Sequence, residues 1–219
     1  MTGKKPRHIR FNSTFNKPHY VGSGSLVGWC NRGSVIWGSG CINNTAIPSE
    51  KPLDCVAVRG PLTYELLTEN NIEVQQVYGD PGLLVSNFYP KKAFGDKVGL
   101  IPHYLDKGYK FFDNEILDIQ AGLKNFLDQL FECRIVFSSS LHGLIFADAY
   151  GIPSYWVEVS DNVIGKGFKF RDYFGSLGQT EEERKVDWTG DILKQAEDYD
   201  VSDRVSEIKQ NLLSVCPFI

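Results

Sequence analysis

The chain has 219 residues, 42% hydrophobic and 23% charged, a balance typical of a globular protein with one or two domains. The formal net charge of −4 argues against a sequence-independent nucleic-acid surface, which needs an excess of basic side chains. No apolar run approaches the ~20 residues that cross a bilayer, and no apolar signal core follows the basic N-terminus. We therefore expect a cytoplasmic protein with no transmembrane segment, and we leave contact with a membrane-bound substrate open.

The cysteines and histidines show no spacing that is typical of a metal site. The five cysteines are far apart and include no Cys-x-x-Cys pair, so we expect reduced thiols. The four histidines are also far apart in the sequence, and we expect no bound metal. The chain lacks a Gly-x-Gly-x-x-Gly followed by an acidic residue, so the pattern argues against a nicotinamide cofactor and a dehydrogenase.

Short apolar runs alternate with helical segments along most of the chain. Loops are expected up to residue 31, with one short helix near residues 24–29. Strands are then predicted at residues 34–37, 55–58, 74–78, 97–102, 116–119, 134–137 and 154–157. Helices are predicted at residues 62–69, opened by Pro61, at 123–132 and at 141–150. This alternation predicts parallel βαβ units, and we expect residues 87–96 to separate two sheets.

The C-terminal part, residues 181–219, has a different pattern from the rest. It is predicted to be helical throughout, with one apolar stripe formed by Ile192, Ala196, Val205, Ile208 and Leu212.

The segment 136–153 carries the strongest functional signal. A predicted strand ends in three hydroxyls, and His142 follows in the first turn of a helix that should stop at Gly151. In open α/β sheets, such a strand-to-helix junction is a common place for anionic ligands. His142 is therefore a candidate acid or base, because an imidazole changes its protonation near neutral pH. The alternative is a partly buried histidine that only packs locally.

Five loops that follow predicted strands resemble, in order and spacing, those of the polysaccharide pyruvyl transferases, which include exopolysaccharide ketolases. Their sequences are Val-Ile-Trp-Gly-Ser-Gly at 35–40, Val-Arg-Gly-Pro-Leu-Thr at 58–63, Tyr-Gly-Asp-Pro-Gly-Leu-Leu at 78–84, Gly-Leu-Ile-Pro-His-Tyr at 99–104 and Ser-Ser-Ser-Leu-His-Gly at 138–143. The resemblance extends over roughly residues 34–173.

The resemblance implies an α/β fold with Rossmann-like parallel sheets in a GT-B-like arrangement and an active site in the cleft between two halves. We expect a shortened N-terminal half at residues 1–90, a C-terminal half at 91–178, and a helical tail at 179–219 that crosses back to the N-terminal half. The implied reaction transfers pyruvate from phosphoenolpyruvate, the donor substrate, to two hydroxyls of a sugar. The acceptor would be a saccharide or lipid-linked oligosaccharide of a cell-surface polymer, and no other cofactor is expected.

Ketal formation needs an acid, a base and groups that hold the donor's carboxylate and phosphate. We expect His142 to be the acid or base, and Asp80 is a second candidate base, although Asp-Pro-Gly is also a common turn. Arg59 is the expected anion clamp, the alternative being a surface arginine or one paired with Asp80. His103 would bind phosphate or relay a proton, or else lie exposed in a loop.

The remaining candidates are expected to contact the donor or the acceptor. Lys169 and Arg171 would contact a phosphate or a lipid pyrophosphate, unless residues 165–173 form a solvated loop. Ser140 occupies the position where many family members have arginine, and it is also the expected helix cap. The other expected ligand-binding residues are Gly38, Ser39, Ser138 and Ser139.

Two other functions remain open on the sequence. A GT-B-type glycosyltransferase would use the same cleft for a nucleotide sugar, and a degenerate relative would bind without turnover. A serine hydrolase is excluded, because Ser140 lies outside a Gly-x-Ser-x-Gly elbow and no histidine follows His142.

Overall fold

Two parallel β-sheets form the framework in the computed structural model, which describes residues 17–91, 93–106, 115–196 and 199–218. The first sheet has the order β1-β2-β3, with strands His19–Val21, Ser34–Trp37 and Asp54–Ala57. The second has the order β5-β4-β6-β7-β8, with β4 Lys97–Ile101, β5 Glu115–Ile116, β6 Cys133–Ser138, β7 Ser154–Val157 and β8 Lys185–Val186. All of these pairings are parallel, which confirms the predicted α/β class.

Seven α-helices in the described residues cover or connect the sheets. They are α1 Pro61–Glu69, α2 Leu123–Leu130, α3 Leu141–Tyr150, α4 Phe168–Ser176, α5 Glu181–Arg184, α6 Ile192–Gln195 and α7 Ser202–Ser214. The predicted helices α1 and α3 are confirmed. Pro61 opens α1, and α3 ends at Gly151, whose φ of 71° is a left-handed conformation that glycine adopts without strain. Within the described part of the chain, no helix is long and apolar enough to span a bilayer.

The fold differs from the sequence expectations at several places. Strand β1 lies in the segment expected to form loops, and β5 replaces the longer strand predicted at 116–119. The predicted strand at 74–78 was wrong: the segment forms only a single bridge, Val58 to Tyr78, because the N–H of Val77 donates to the carbonyl of Gln75 within the segment. The helical prediction for the tail was wrong at β8, whose two residues pair with the edge of β7. Residues 168–176 form α4, although a solvated loop was the alternative for this segment.

The largest of three hydrophobic clusters in the described residues contains side chains from both sheets, and α3 lies within it. Eight of the ten residues of α3 are buried, so this helix contacts protein on nearly all sides. Helix α7 packs against α3 and contributes Val205, Ile208 and Leu212 to the same core. The indole Nε1 of Trp37, in β2, donates a 2.9 Å hydrogen bond to the backbone carbonyl of Leu212. The C-terminal helix therefore contacts the first sheet directly, while the predicted domain boundaries stay predictions.

The cysteines are free thiols, and four of the five are buried. Burial raises the pKa of Cys30 and of Cys41 to about 12, so both are protonated and unreactive at neutral pH.

A buried ion pair fixes the helices behind the second sheet. The Arg184 guanidinium lies 3.0 Å from the carboxylate of Asp148 in α3, and both side chains are fully buried. The same carboxylate accepts hydrogen bonds from the hydroxyls of Tyr173 and Tyr199, at 2.8 and 3.0 Å. Asp148 thereby joins α3, α4, α5 and the chain that precedes α7.

We predict that Arg184→Met lowers the free energy of unfolding by ~3–5 kcal/mol, because it leaves the Asp148 charge buried without its cation. Urea unfolding followed by circular dichroism measures this loss. The matched control is Lys124→Met, which removes an exposed helical ion pair with Asp128 and should leave the unfolding midpoint unchanged. Equal effects of the two substitutions would contradict the structural role of the buried pair.

Candidate active site

The carboxyl ends of strands from both sheets meet at the N-terminus of α3, where His142 lies. His142 is the second residue of α3 and, with Phe146, one of the two α3 residues that are not fully buried. The loops that follow β2, β4 and β6 converge here, as expected for parallel strands. The predicted location of the site at the ends of the strands therefore matches the geometry of the fold.

A chain of hydrogen bonds connects His142 with Asp80. The Nε2 atom of His142 lies 3.0 Å from the hydroxyl of Ser23, and this hydroxyl donates to Asp80 Oδ1 at 2.6 Å. Asp80 is fully buried and also accepts a 2.8 Å bond from the backbone N–H of Gly82. Asp80 therefore caps the 3₁₀ helix Pro81–Asn87, as the predicted turn requires, and also contacts His142 through Ser23.

The loop that carries Ser23 is anchored by residues that the sequence assigned to ligand binding. The Ser39 hydroxyl donates to the carbonyl of Gly24 at 2.8 Å and accepts from the N–H of Leu26 at 3.2 Å. Gly38 has a φ of +85°, and a Cβ there would lie 2.3 Å from the ring of Pro81. Both residues thus shape the loop, and their contact with a ligand stays a prediction.

Arg59 is fully buried and is paired with Asp172 of α4. Its Nε donates to Asp172 at 3.0 Å and its Nη2 lies 2.9 Å from the same carboxylate oxygen. The other guanidinium bonds go to the Ser25 hydroxyl and to the carbonyl of Cys41, both at 2.7 Å. The partner is therefore Asp172 and not Asp80, and the guanidinium fork is occupied by the protein itself. A direct bond from Arg59 to a ligand stays a prediction.

Lys169 lies in the first turn of α4 and is only 8% exposed. Within the described residues, its ammonium makes neither an ion pair nor a hydrogen bond, and it lies 5.2 Å from the ring centroid of Phe170. Burial and the positive charge of Arg59 lower its pKa to about 8. No buried side-chain nitrogen of the described residues lacks a hydrogen-bond partner, so this unpaired ammonium is accessible at the end of its buried stem. It is therefore the strongest candidate for binding an anionic ligand.

His103 lies on the opposite side of the junction and is half-buried. Its backbone N–H donates to the Ser139 hydroxyl at 2.8 Å, and that hydroxyl donates to the buried carboxylate of Asp106 at 2.7 Å. Ser160 also donates a hydrogen bond to Asp106. Asp106 therefore organises the loop that follows β4.

Two of the three consecutive serines are engaged within the protein. The Ser138 hydroxyl donates to the carbonyl of Ile101 at 2.8 Å, and Ser139 contacts Asp106. Ser140 occupies the N-cap position of α3 as predicted, but its hydroxyl makes no capping bond and has no other hydrogen-bond partner in the described residues. Of the three serines, Ser140 is thus the one whose hydroxyl is available to a ligand.

Comparison with known proteins identifies the family of the chain. A model of the polysaccharide pyruvyl transferase family matches residues 9–161. The chain belongs to the polysaccharide pyruvyl transferase family. The match includes the segments of His142, Asp80, Arg59 and His103, whereas Lys169 and Arg171 lie beyond its end.

Two relatives of this pyruvyl transferase family member are longer than the chain. An uncharacterized protein of Acanthamoeba polyphaga mimivirus is 33% identical over 183 residues, which are 77% of this chain and 63% of that protein. The succinoglycan biosynthesis protein ExoV of Rhizobium meliloti (strain 1021) is 24% identical over 159 residues, which are 68% of this chain and 48% of that protein. The alignments thus span about half to two thirds of these relatives.

Arg171 lies away from His142, in a second cleft beside α4. Its guanidinium lies 3.1 Å from Glu181 and donates to the backbone carbonyl of Lys166 at 2.8 Å. The cleft has a volume of about 300 Å³. Three acidic and three basic side chains line it, namely Glu158, Asp161, Glu181, Lys166, Arg171 and Lys185. Because these charges balance, the cleft suits a neutral polar ligand better than a phosphate.

The electrostatics of the candidate site keep both histidines neutral at neutral pH. Burial lowers the pKa of His142, and the charges of Arg59 and Lys169 lower it further, while Asp80 opposes the shift. The pKa of His103 is lowered by burial and then by Lys169. Within the described part of the chain, no group of three His, Cys, Asp or Glu side chains is placed to hold a metal ion. A neutral imidazole beside an unpaired ammonium can accept a proton near a bound anion.

We predict that Lys169→Met raises the pKa of His142, because it removes a nearby positive charge that disfavours the imidazolium. Titration of the imidazole proton resonances by NMR measures the shift. Lys185→Met, which removes a cation from the second cleft, is the control and should leave the titration unchanged. An unchanged or lower His142 midpoint in Lys169→Met would contradict the electrostatic coupling.

Proposed function

We propose that the protein transfers the pyruvyl group of phosphoenolpyruvate to two hydroxyls of a saccharide, giving a cyclic ketal and free phosphate. The observation that carries this proposal is the unpaired ammonium of Lys169, accessible at the end of a largely buried side chain and electrostatically coupled to the neutral imidazole of His142, in a chain of this family. The reaction needs one group that binds the anionic donor and another that accepts a proton, and Lys169 and His142 supply these two functions together.

The donor's carboxylate and phosphate need positive charge and N–H or O–H donors. In our proposal, Lys169 contacts the phosphate, and the free hydroxyl of Ser140 with the first N–H groups of α3 contacts the same anion. Arg59 adds positive potential from the protein interior, where most of its N–H groups bond to the protein, and its direct bond to the donor stays a prediction. Ser140 thus takes the place where many family members have arginine.

The chemistry assigns one role to each histidine. The bound dianion raises the pKa of His103, which protonates the methylene carbon, converts it to a methyl group and makes the central carbon electrophilic. His142, neutral because its pKa is lowered, takes the proton of the first sugar hydroxyl as the hydroxyl oxygen bonds to that central carbon. The second hydroxyl displaces phosphate, which leaves with that hydroxyl's proton. His142 then returns the first hydroxyl's proton to His103 through solvent, so that both histidines regain their starting states.

The acceptor in this proposal is a saccharide or lipid-linked oligosaccharide of a cell-surface polymer. The name of ExoV refers to succinoglycan biosynthesis, and we carry over only the general class of polymer. The charge-balanced cleft beside Arg171 would accommodate neutral sugar units of this acceptor. A cytoplasmic location belongs to the same proposal.

We predict that phosphoenolpyruvate raises the thermal unfolding midpoint of the protein. A ligand at 100 times its Kd stabilises the native state by ~2.7 kcal/mol, which differential scanning fluorimetry detects. The shift should be strongly reduced in Lys169→Met and retained in the control Lys185→Met. Lys169 is preferred to Arg59 for this test, because removal of Arg59 would leave Asp172 as an unpaired buried charge. A shift with UDP-sugars alone would favour glycosyl transfer instead.

We also predict that His142→Gln lowers kcat by roughly 10²- to 10⁴-fold, the usual contribution of a positioned acid or base, while the phosphoenolpyruvate shift remains. The assay measures phosphate release from phosphoenolpyruvate with a panel of p-nitrophenyl hexosides, and mass spectrometry of the ketal product. Donor binding by the wild type without product on any acceptor would favour the binding-only relative. Full activity of His142→Gln would exclude His142 as the base.

A further inference from the structure

The hydrogen bonds around Ser23 determine which nitrogen of His142 carries its proton. A serine hydroxyl has one hydrogen, and Ser23 donates it to Asp80 Oδ1 at 2.6 Å. The Ser23 oxygen can therefore only accept from the Nε2 atom of His142, which lies 3.0 Å away. Asp80 is the acceptor in its hydrogen bond with Ser23, since its carboxylate also accepts from the N–H groups of Gly82 and Gly24, at 2.8 and 3.4 Å. In the neutral imidazole, the hydrogen is then on Nε2 and the lone pair is on Nδ1.

We propose that Ser23 is a positioning residue that couples Asp80 to His142 and fixes the Nε2–H tautomer, so that Nδ1 is the proton-accepting nitrogen. The tautomer follows from the hydrogen bonds alone, whereas the role of Nδ1 in catalysis rests on the function proposed above.

The loop geometry supports this assignment, because Ser23 is held from several sides. The carbonyl of the adjacent residue Gly24 accepts a hydrogen bond from the Ser39 hydroxyl. The hydroxyl of Ser25 accepts a 2.7 Å hydrogen bond from the buried guanidinium of Arg59. The backbone N–H of Gly40 adds a 3.0 Å bond to the carbonyl of Gly24. A loop with this many anchors places the Ser23 hydroxyl in a defined position between the carboxylate and the imidazole.

The coupling has a defined role in the proton transfer. The O–H bond of the sugar hydroxyl breaks, its proton forms a bond with Nδ1, and the imidazole becomes an imidazolium. The Nε2–H bond to Ser23 and the Asp80 charge behind it then stabilise the cation, with no proton moving to Asp80. Among the charged groups around His142, Asp80 favours the imidazolium, while Arg59 and Lys169 oppose it. Asp80 therefore offsets the positive potential that serves to bind the donor.

The tautomer can be measured without any activity. Long-range ¹H–¹⁵N correlation spectra of ¹⁵N-histidine-labelled protein, recorded above the His142 midpoint, distinguish an Nε2–H ring from an Nδ1–H ring, and His142→Gln assigns the signals. We expect an Nε2–H ring in the wild type and in Ser23→Thr, which keeps the hydroxyl. We expect a mixture of tautomers in Ser23→Ala. An Nδ1–H ring in the wild type, or an unchanged ring in Ser23→Ala, would overturn the proposal.

Kinetics test the catalytic part separately. With phosphoenolpyruvate and an accepted saccharide, Ser23→Ala should lower kcat by roughly 10- to 100-fold, the usual effect of losing such a supporting contact. The phosphoenolpyruvate-induced thermal shift and the unfolding midpoint should stay close to wild type, and Ser23→Thr should restore most of kcat. An unchanged kcat in Ser23→Ala would overturn the role in catalysis. If the wild type transfers no pyruvate, the proposed function fails, while the tautomer result still decides the positioning role.

Discussion

The buried ion pair between Arg59 and Asp172 is the interaction on which the geometry of the site depends. It joins the loop after β3 to helix α4, and its remaining donors hold Ser25 and the carbonyl of Cys41. The carboxylate of Asp172 also accepts from the backbone N–H and the hydroxyl of Thr63, at 2.8 and 2.7 Å, in the first turn of α1. One pair thus positions both the Ser23 loop and the helix that carries Lys169. Because every donor and acceptor is satisfied, the pair tolerates full burial.

The buried carboxylates of the site are hydrogen-bonded within the protein, whereas the groups left without a partner can bind a ligand. Asp80, Asp106 and Asp172 are buried carboxylates whose oxygens all accept hydrogen bonds from named donors. The Lys169 stem is buried but its accessible ammonium has no partner in the described residues, and the Ser140 hydroxyl is also without one. The carboxylates therefore shape the loops, and the unmatched charge is positive. This asymmetry favours a doubly anionic donor over a neutral one.

The sequence predicted those elements whose ends are marked by proline or glycine. It did not predict the hydrogen bonds between residues that are far apart in the chain. Pro61 and Gly151 mark the start of α1 and the end of α3, because the preferences of proline and glycine are set by their own backbones. The loop order placed His142 correctly at a strand-to-helix junction. Ser23 was missed because its partners, Asp80 and His142, are 57 and 119 residues away in the sequence. Asp172 was likewise missed as the partner of Arg59, 113 residues earlier.

The hydrogen bond between Trp37 and Leu212 has a consequence for biosynthesis. The two residues are separated by 175 positions, so β2 leaves the ribosome long before its partner helix exists. Until α7 emerges, the apolar face that receives Ile208 and Leu212 stays exposed to water and to other chains. The nascent chain is therefore open to aggregation during that interval. The first sheet gains its contact with the C-terminal helix only after translation of α7.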